Sequence, residues 1–170
     1  MKLREVLSKD NVTEYQQGTY AGYRVSQDDD DTIMDLLKEI GVPNPVEKSD
    51  LHLTLLYSRK FLPNYEPATY TDIWAYPSGF HVFNGQDGKN ILVLMLDCKD
   101  CVKRHKELMK QHKATYDFPE YLPHLTLSYD IGDWFDADAD KINSEFKDKL
   151  PKEFHINSEY MENLKLDWKP

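Results

Sequence analysis

Two short stretches of this chain are nearly identical. Residues 52–57 read His-Leu-Thr-Leu-Leu-Tyr, and residues 124–129 read His-Leu-Thr-Leu-Ser-Tyr, so five of six positions agree. Both alternate and are rich in apolar residues, which is the signature of a half-buried strand. Residues two apart on a strand share a face. His52 therefore lies beside Thr54, and His124 beside Thr126. Strict alternation sends the leucines, together with Tyr57 and Tyr129, to the opposite face. Any fold for this chain must bury two such Leu-Leu-Tyr faces and leave two His-Thr faces for something else.

The rest of the chain supplies elements to do this. A helix is expected over 3–7 and a strand over 19–26, with Ala21, Tyr23 and Val25 on one face and Tyr20, Gly22 and Arg24 on the other. The acidic run at 28–31 precedes a helical stripe of Ile33, Met34, Leu36, Leu37 and Ile40. Carboxylates at a helix start cap free N–H groups and oppose the macrodipole. Gly41 closes that helix, and Pro43 and Pro45 keep it closed. Strands are expected over 71–76, 79–84 and 90–96, a helix over 101–114 capped by Asp97 or Asp100, and a helix over 137–149. The chain ends in two strands, 153–161 and 164–168, around a turn at Glu162 and Asn163. Mixed elements and hairpins point to an α+β class with antiparallel pairing. Two mixed halves, each centred on one motif strand, fit a single pseudo-symmetric domain over 1–170.

Charge narrows the chemistry. A net charge of −9 disfavours broad binding to duplex nucleic acid, which needs many cations on phosphates. It leaves room for a small phosphate ligand held by a few donors, with Arg24 and Arg59 the nearest candidate cations. There is no apolar run long enough for a membrane span and no signal-peptide core at the start, so a cytoplasmic protein is expected. No obligate protein partner is evident. Cys98 and Cys101 form a lone Cys-x-x-Cys, read as two reduced thiols at a strand-to-helix junction.

A single histidine on a strand is usually structural, and threonine is common there for its β-propensity. Their joint recurrence changes the reading. Two imidazoles facing one cleft can divide the work, one accepting a proton while the other donates one. Threonine hydroxyls can hold non-bridging phosphoryl oxygens and stabilise charge that builds on them. Such a site requires neither metal nor other cofactor, and the clustered carboxylates and histidines of a two-metal hydrolase are not evident. His81, His105, His112 and His155 lack the motif context and read as structural or surface residues.

The paired His-Leu-Thr-Leu copies resemble the 2H phosphoesterase superfamily, which is defined by two His-x-Thr motifs. The resemblance implies a bilobal, pseudo-symmetric fold with antiparallel sheets lining a central cleft and helices outside. It implies His52, Thr54, His124 and Thr126 as the catalytic set. Length, acidity and the Glu-to-Trp tail are most similar to the branch of phage anti-CBASS nucleases. That branch implies a metal-independent phosphodiesterase that opens 3′–5′ bonds of cyclic di- and trinucleotide messengers, leaving 3′-phosphates. It also implies base or ligand contacts at Tyr20, Glu162 and Trp168. Tyr116 and Trp74 are added as aromatic platforms, since stacking contributes about 1–3 kcal/mol per base, although a strand-borne tryptophan such as Trp74 also suits a core. Two other readings stand beside it: a 2′,3′-cyclic phosphodiesterase or 2′–5′ oligonucleotide hydrolase, and a protein that sequesters cyclic nucleotides without turnover.

Overall fold

The computed structural model describes residues 17–165. The helix expected over 3–7 and the tail residue Trp168 lie outside these. Among the described residues, six strands and three α-helices follow one another: β1 (Gln17–Val25), α1 (Gln27–Ile40), β2 (Leu53–Ser58), β3 (Ile73–Asn84), β4 (Asn90–Asp97), α2 (Lys99–Gln111), β5 (His124–Ser128), α3 (Ala139–Phe146) and β6 (Phe154–Lys165). Every strand pair is antiparallel. The strands join in the order β1-β2-β5-β4-β3-β6, and β6 returns to β1, so they form one closed barrel. The α+β class is as the sequence indicates. The separate sheets implied by the resemblance are instead one ring, because β6 is long enough to pair with both β1 and β3.

Local chemistry explains the helices. Ser26 accepts from the Asp29 N–H and caps α1, with Asp28, Asp29 and Asp30 in its first turn. Gly41 adopts φ 73° and its N–H returns to the Leu37 and Lys38 carbonyls, a left-handed closure that favours glycine. The face of α1 bearing Ile33, Leu36, Leu37 and Ile40 is buried. Those residues pack with Leu108 of α2, Ile142 of α3, and Ala21, Leu53, Leu94, Leu125 and Ile156 of the strands in one core cluster. The core thus lies between the helices and one face of the ring. Tyr20 and Val93 are also buried but lie outside that cluster, consistent with the alternation that sends them to the other face.

Several boundaries differ from the sequence expectation. The strands expected over 71–76 and 79–84 are one strand, β3, with an irregularity between Pro77 and Gly79. Asn143 of α3 bridges that break, accepting from the Phe80 N–H at 2.7 Å and donating to its carbonyl at 2.9 Å. The C-terminal hairpin is likewise one strand. Glu162 and Asn163 are not a turn but pair with Tyr20 and Thr19 of β1. The cap of α2 is Cys98 rather than an aspartate, its sulfur accepting from the Cys101 N–H at 3.2 Å. Cys98 and Cys101 are joined in a disulfide rather than standing as two thiols. A spacing of three across a helix start brings the side chains together.

Candidate active site

The ring places the two repeated stretches side by side. β2 and β5 are neighbours, joined by the pair Leu53↔Leu125. Counting one residue either way along this antiparallel register sets His52 across from Thr126 and Thr54 across from His124. All four point away from the buried Leu53 and Leu125. The sequence placed these residues in pairs on two strands, and the fold brings the pairs into one cluster.

Both motif strands carry a bulge at the same motif position. Along β1, Ala21 pairs with Leu56 and Gly22 with Thr54, so Leu55 is the extra residue. Along β4, Leu92 pairs with Ser128 and Val93 with Thr126, so Leu127 is the extra residue. A bulge adds one residue to one strand and shifts the alternation beyond it. Tyr57 and Tyr129 are thereby turned from the expected leucine face to the histidine-threonine face. The contacts agree: the Thr54 hydroxyl donates to Tyr57 Oη at 3.4 Å, and Tyr129 is hydrogen-bonded to Thr126. Each repeated unit is therefore His-x-Thr-x-x-Tyr.

The bulged carbonyls lack a strand partner and find one outside the ring. His105 of α2 donates from Nδ1 to the Leu55 carbonyl at 2.7 Å, and the Val46 N–H donates to the Leu127 carbonyl at 2.9 Å. Buried backbone acceptors need such partners. Tyr121 stacks on His105 at 4.2 Å between ring centroids and donates from its hydroxyl to the Thr54 carbonyl at 2.8 Å. His105 is buried, and burial lowers its pKa. It is a structural histidine, as the sequence suggested, yet it holds the first motif strand in shape.

The motif histidines are held alike. His124 donates from Nδ1 to the Leu122 carbonyl at 2.7 Å. The imidazole of His52 hydrogen-bonds the Asp50 carbonyl, again two residues upstream. A carbonyl can only accept, so the proton of neutral His124 sits on Nδ1 and Nε2 is left to give or take one. Burial lowers the pKa of both rings. At His52 this is opposed by the Asp50 carbonyl and by the nearby Asp50 and Glu162 charges, and reinforced by Arg24. An aromatic edge meets each ring: Tyr20 stands 5.8 Å from His52, and Phe83 stands 5.5 Å from His124.

Of the other expected site residues, Tyr20 joins this cluster most directly. Its hydroxyl lies 3.2 Å from Thr54 Oγ1, and it is also hydrogen-bonded to Tyr160. Both phenols converge over Gly22, where a Cβ would meet each oxygen at 2.9 Å. Glu162 pairs with Tyr20 across the strands and lies within electrostatic reach of His52. Arg24 stacks over the Tyr160 ring at 4.7 Å and donates to the Ser49 and Leu51 carbonyls, bracing the turn that delivers His52. Arg59 is paired with Asp117 at 2.7 Å. Trp74 is 43% exposed and meets His155 in a tilted ring contact at 4.7 Å, so it is not a core residue. Tyr116 packs against the core, in ring contact with His105, Phe118 and Tyr121. Burial pushes its hydroxyl up to about 12. Trp168 lies outside the described residues.

Strict period-two reading missed Tyr57, Tyr129, Tyr160 and Phe83. The signal for the first two was present, since tyrosine recurs at the sixth motif position. Phe83 and Tyr160 carried no comparable mark. Among the described residues, no three His, Cys, Asp or Glu side chains are grouped to hold a metal ion, and no helix is long and apolar enough to cross a membrane. The face offers two imidazoles for proton transfer and a set of hydroxyls for anionic oxygens.

Comparison with known proteins gives this arrangement relatives. Residues 17–170 match the family model described as anti-CBASS protein Acb1. The anti-CBASS protein Acb1 of Vibrio phage KVP40 is 33% identical over 152 residues, covering 89% of this chain and 91% of its own. That of Enterobacteria phage T4 is 34% identical over 156 residues, covering 91% and 93%. That of Acinetobacter phage Ac42 is 35% identical over 159 residues, covering 94% and 99%.

Proposed function

The chain belongs to the anti-CBASS protein Acb1 family, and from that membership and the paired motifs we propose that it is a 2H-type phosphodiesterase that linearises cyclic oligonucleotide messengers. Family membership carries the role of countering CBASS signalling, and the cytoplasm of an infected host is where that role is exercised. The observation that carries the chemistry is the register of β2 and β5, which gathers two tethered imidazoles and two threonines on one face. The fold reading accompanies it. β1, β2 and β6 form one half and β3, β4 and β5 the other, each half holding one motif strand, as a pseudo-symmetric bilobal domain does.

A ribose 2′-hydroxyl beside the scissile phosphate is the nucleophile. One imidazole takes its proton as the 2′-oxygen bonds to phosphorus. The other imidazole gives a proton to the departing 5′-oxygen. The resulting 2′,3′-cyclic phosphate is opened by water with the two roles exchanged, leaving a 3′-phosphate and a free 5′-hydroxyl. Charge that grows on the non-bridging oxygens is met by the hydroxyl donors. Side chains supply both proton transfers, so the reaction needs no metal. Trp74 offers an exposed aromatic face for a base, Tyr20 and Glu162 stand beside His52 on the motif face, and the tail Trp168 completes the proposed contacts, whereas the Tyr116 ring is taken up by packing on the core.

The test is incubation in EDTA with a panel of 3′,3′-cyclic di- and trinucleotides, followed by mass analysis. Linear products ending in a 3′-phosphate are expected, and His52→Ala and His124→Ala should each slow turnover by ~10²–10⁴. Cleavage confined to 2′–5′ bonds or 2′,3′-cyclic phosphates would move the protein to another branch. Intact messenger recovered from the denatured complex would make it a sequestering protein.

A further inference from the structure

We propose that Tyr57 and Tyr129 are substrate-contacting residues: each phenol joins its neighbouring threonine as a second hydrogen-bond donor to a non-bridging oxygen of the scissile phosphate. This rests on the phosphodiesterase reading above and adds to it a pair of residues outside the His-x-Thr motifs.

Three observations converge on it. First, the bulges at Leu55 and Leu127 are matched in position and have the same effect, turning a tyrosine onto the histidine-threonine face in both copies. An isolated bulge is commonly local relief. Two at equivalent places, each with its carbonyl held by a group outside the ring, re-aim two equivalent side chains. Second, the Thr54 and Tyr57 oxygens are 3.4 Å apart. That is long for a hydroxyl pair, whose usual separation is about 2.7–2.8 Å. It suits two donors sharing one acceptor: hydroxyls each ~2.8 Å from a common oxygen stand roughly 3–4.5 Å from one another. Third, both phenols stand on the histidine-threonine face, each hydrogen-bonded to the threonine of its own motif.

The hydrogen count agrees. A hydroxyl has one proton to give and two lone pairs to receive. A ligand oxygen lying beside both replaces their long 3.4 Å contact, and Thr54 and Tyr57 each turn their one proton to it. Burial raises the pKa of both tyrosines, so both remain protonated donors at neutral pH. A phosphodiester has two non-bridging oxygens, and the face presents two threonine-tyrosine pairs. Packing does not require the hydroxyl at Tyr129, which is 54% exposed.

The experiment compares wild type, Tyr57→Phe and Tyr129→Phe on a 3′,3′-cyclic dinucleotide and on its two phosphorothioate diastereomers. Phenylalanine keeps the ring and removes only the donor. Each variant should lose about tenfold in kcat with a smaller change in KM. That is below the 10²–10³ loss of a sole oxyanion donor, because a threonine remains on the same oxygen. Sulfur is a poor acceptor, so on one diastereomer the variant should turn over as fast as wild type. Losses equal on all three substrates, or a kcat within twofold of wild type on the oxygen substrate, would overturn the assignment. Should Tyr57→Phe fail to fold, judged by its melting curve, the exposed Tyr129→Phe decides. Wild type that leaves every substrate intact refutes the phosphodiesterase reading and this inference together. Active wild type beside equally active phenylalanine variants refutes this inference alone.

Discussion

Gly22→Ala is the smallest change that should disable the site while sparing the fold. Gly22 lies in β1 beneath the Tyr20 and Tyr160 hydroxyls, and an alanine Cβ would stand 2.9 Å from each and 3.0 Å from Tyr160 Cζ. An ordinary carbon contact needs about 3.4 Å or more, so the phenols must retreat by about 0.5 Å. Tyr20 has little room to do so, being packed against His52 and Tyr57. Its hydroxyl is already 3.2 Å from Thr54 Oγ1, and a further 0.5 Å takes it beyond hydrogen-bonding range. Loss of one such bond costs ~0.5–1.5 kcal/mol. Overpacking adds ~1–3 kcal/mol, partly offset by ~0.4–1 kcal/mol from the stiffer unfolded chain. Net destabilisation of about 1–3 kcal/mol should lower the melting temperature by several degrees. Turnover should suffer more, because a 1 Å misplacement in a catalytic constellation costs up to ~10² in rate, and about half that displacement costs roughly tenfold. The assay is kcat for cyclic dinucleotide cleavage, read beside a melting curve. A variant that melts lower and cleaves at the wild-type rate would refute the view that the phenol cluster fixes Thr54.

Two further outcomes follow from the electrostatics. Burial lowers the pKa of His52 and His124, so the bell-shaped pH profile of kcat/KM should peak below the ordinary imidazole value of ~6.5; a peak above that value contradicts the environment described. The same two groups and His105 bind protons more readily when unfolded, so their contribution to stability is present above ~6.5 and is lost as pH falls through their folded pKa values, which melting curves between pH 7.5 and 5 would record. Glu159, with a side chain 1% exposed, is held by Arg104 at 2.9 Å and by the Tyr65 hydroxyl. Arg104→Ala should cost ~3 kcal/mol by stranding that carboxylate, and an unchanged melting temperature would show the pair to be idle.

Much of the fold and half of the site were legible in the sequence. The position of α1 was readable because the acidic first turn and Gly41 act within a few residues, while its cap, Ser26, reads from the sequence as the end of the strand before it. The four motif residues were readable because side chains two apart share a face whatever the partner strand. Tyr57 and Tyr129 were misplaced because a bulge is decided by pairing with β1 and β4, and no local propensity marks it. The merged strands β3 and β6 have the same cause. Pro77 and Gly79 read as a break, but Asn143 supplies the missing strand partner from a helix more than sixty residues away. Trp74 was ambiguous because a strand pattern does not say whether its outer face is covered.

The uneven stitching of the ring has a mechanical consequence. β1 and β6 are zipped along their length, and so are β3 and β4. The motif strands are tacked together only at Leu53↔Leu125, and the opposite junction holds three pairs from Ile73↔Ile156 to Ala75↔Phe154. Two sparse lines of stitching on opposite sides divide the ring into two better-paired halves. Amides along the motif seam are protected by few ladder bonds, so their deuterium uptake should be faster than that along the β1–β6 and β3–β4 ladders. A bound phosphate clasped by both motif strands would act as the missing stitch, and slowed exchange there would report it.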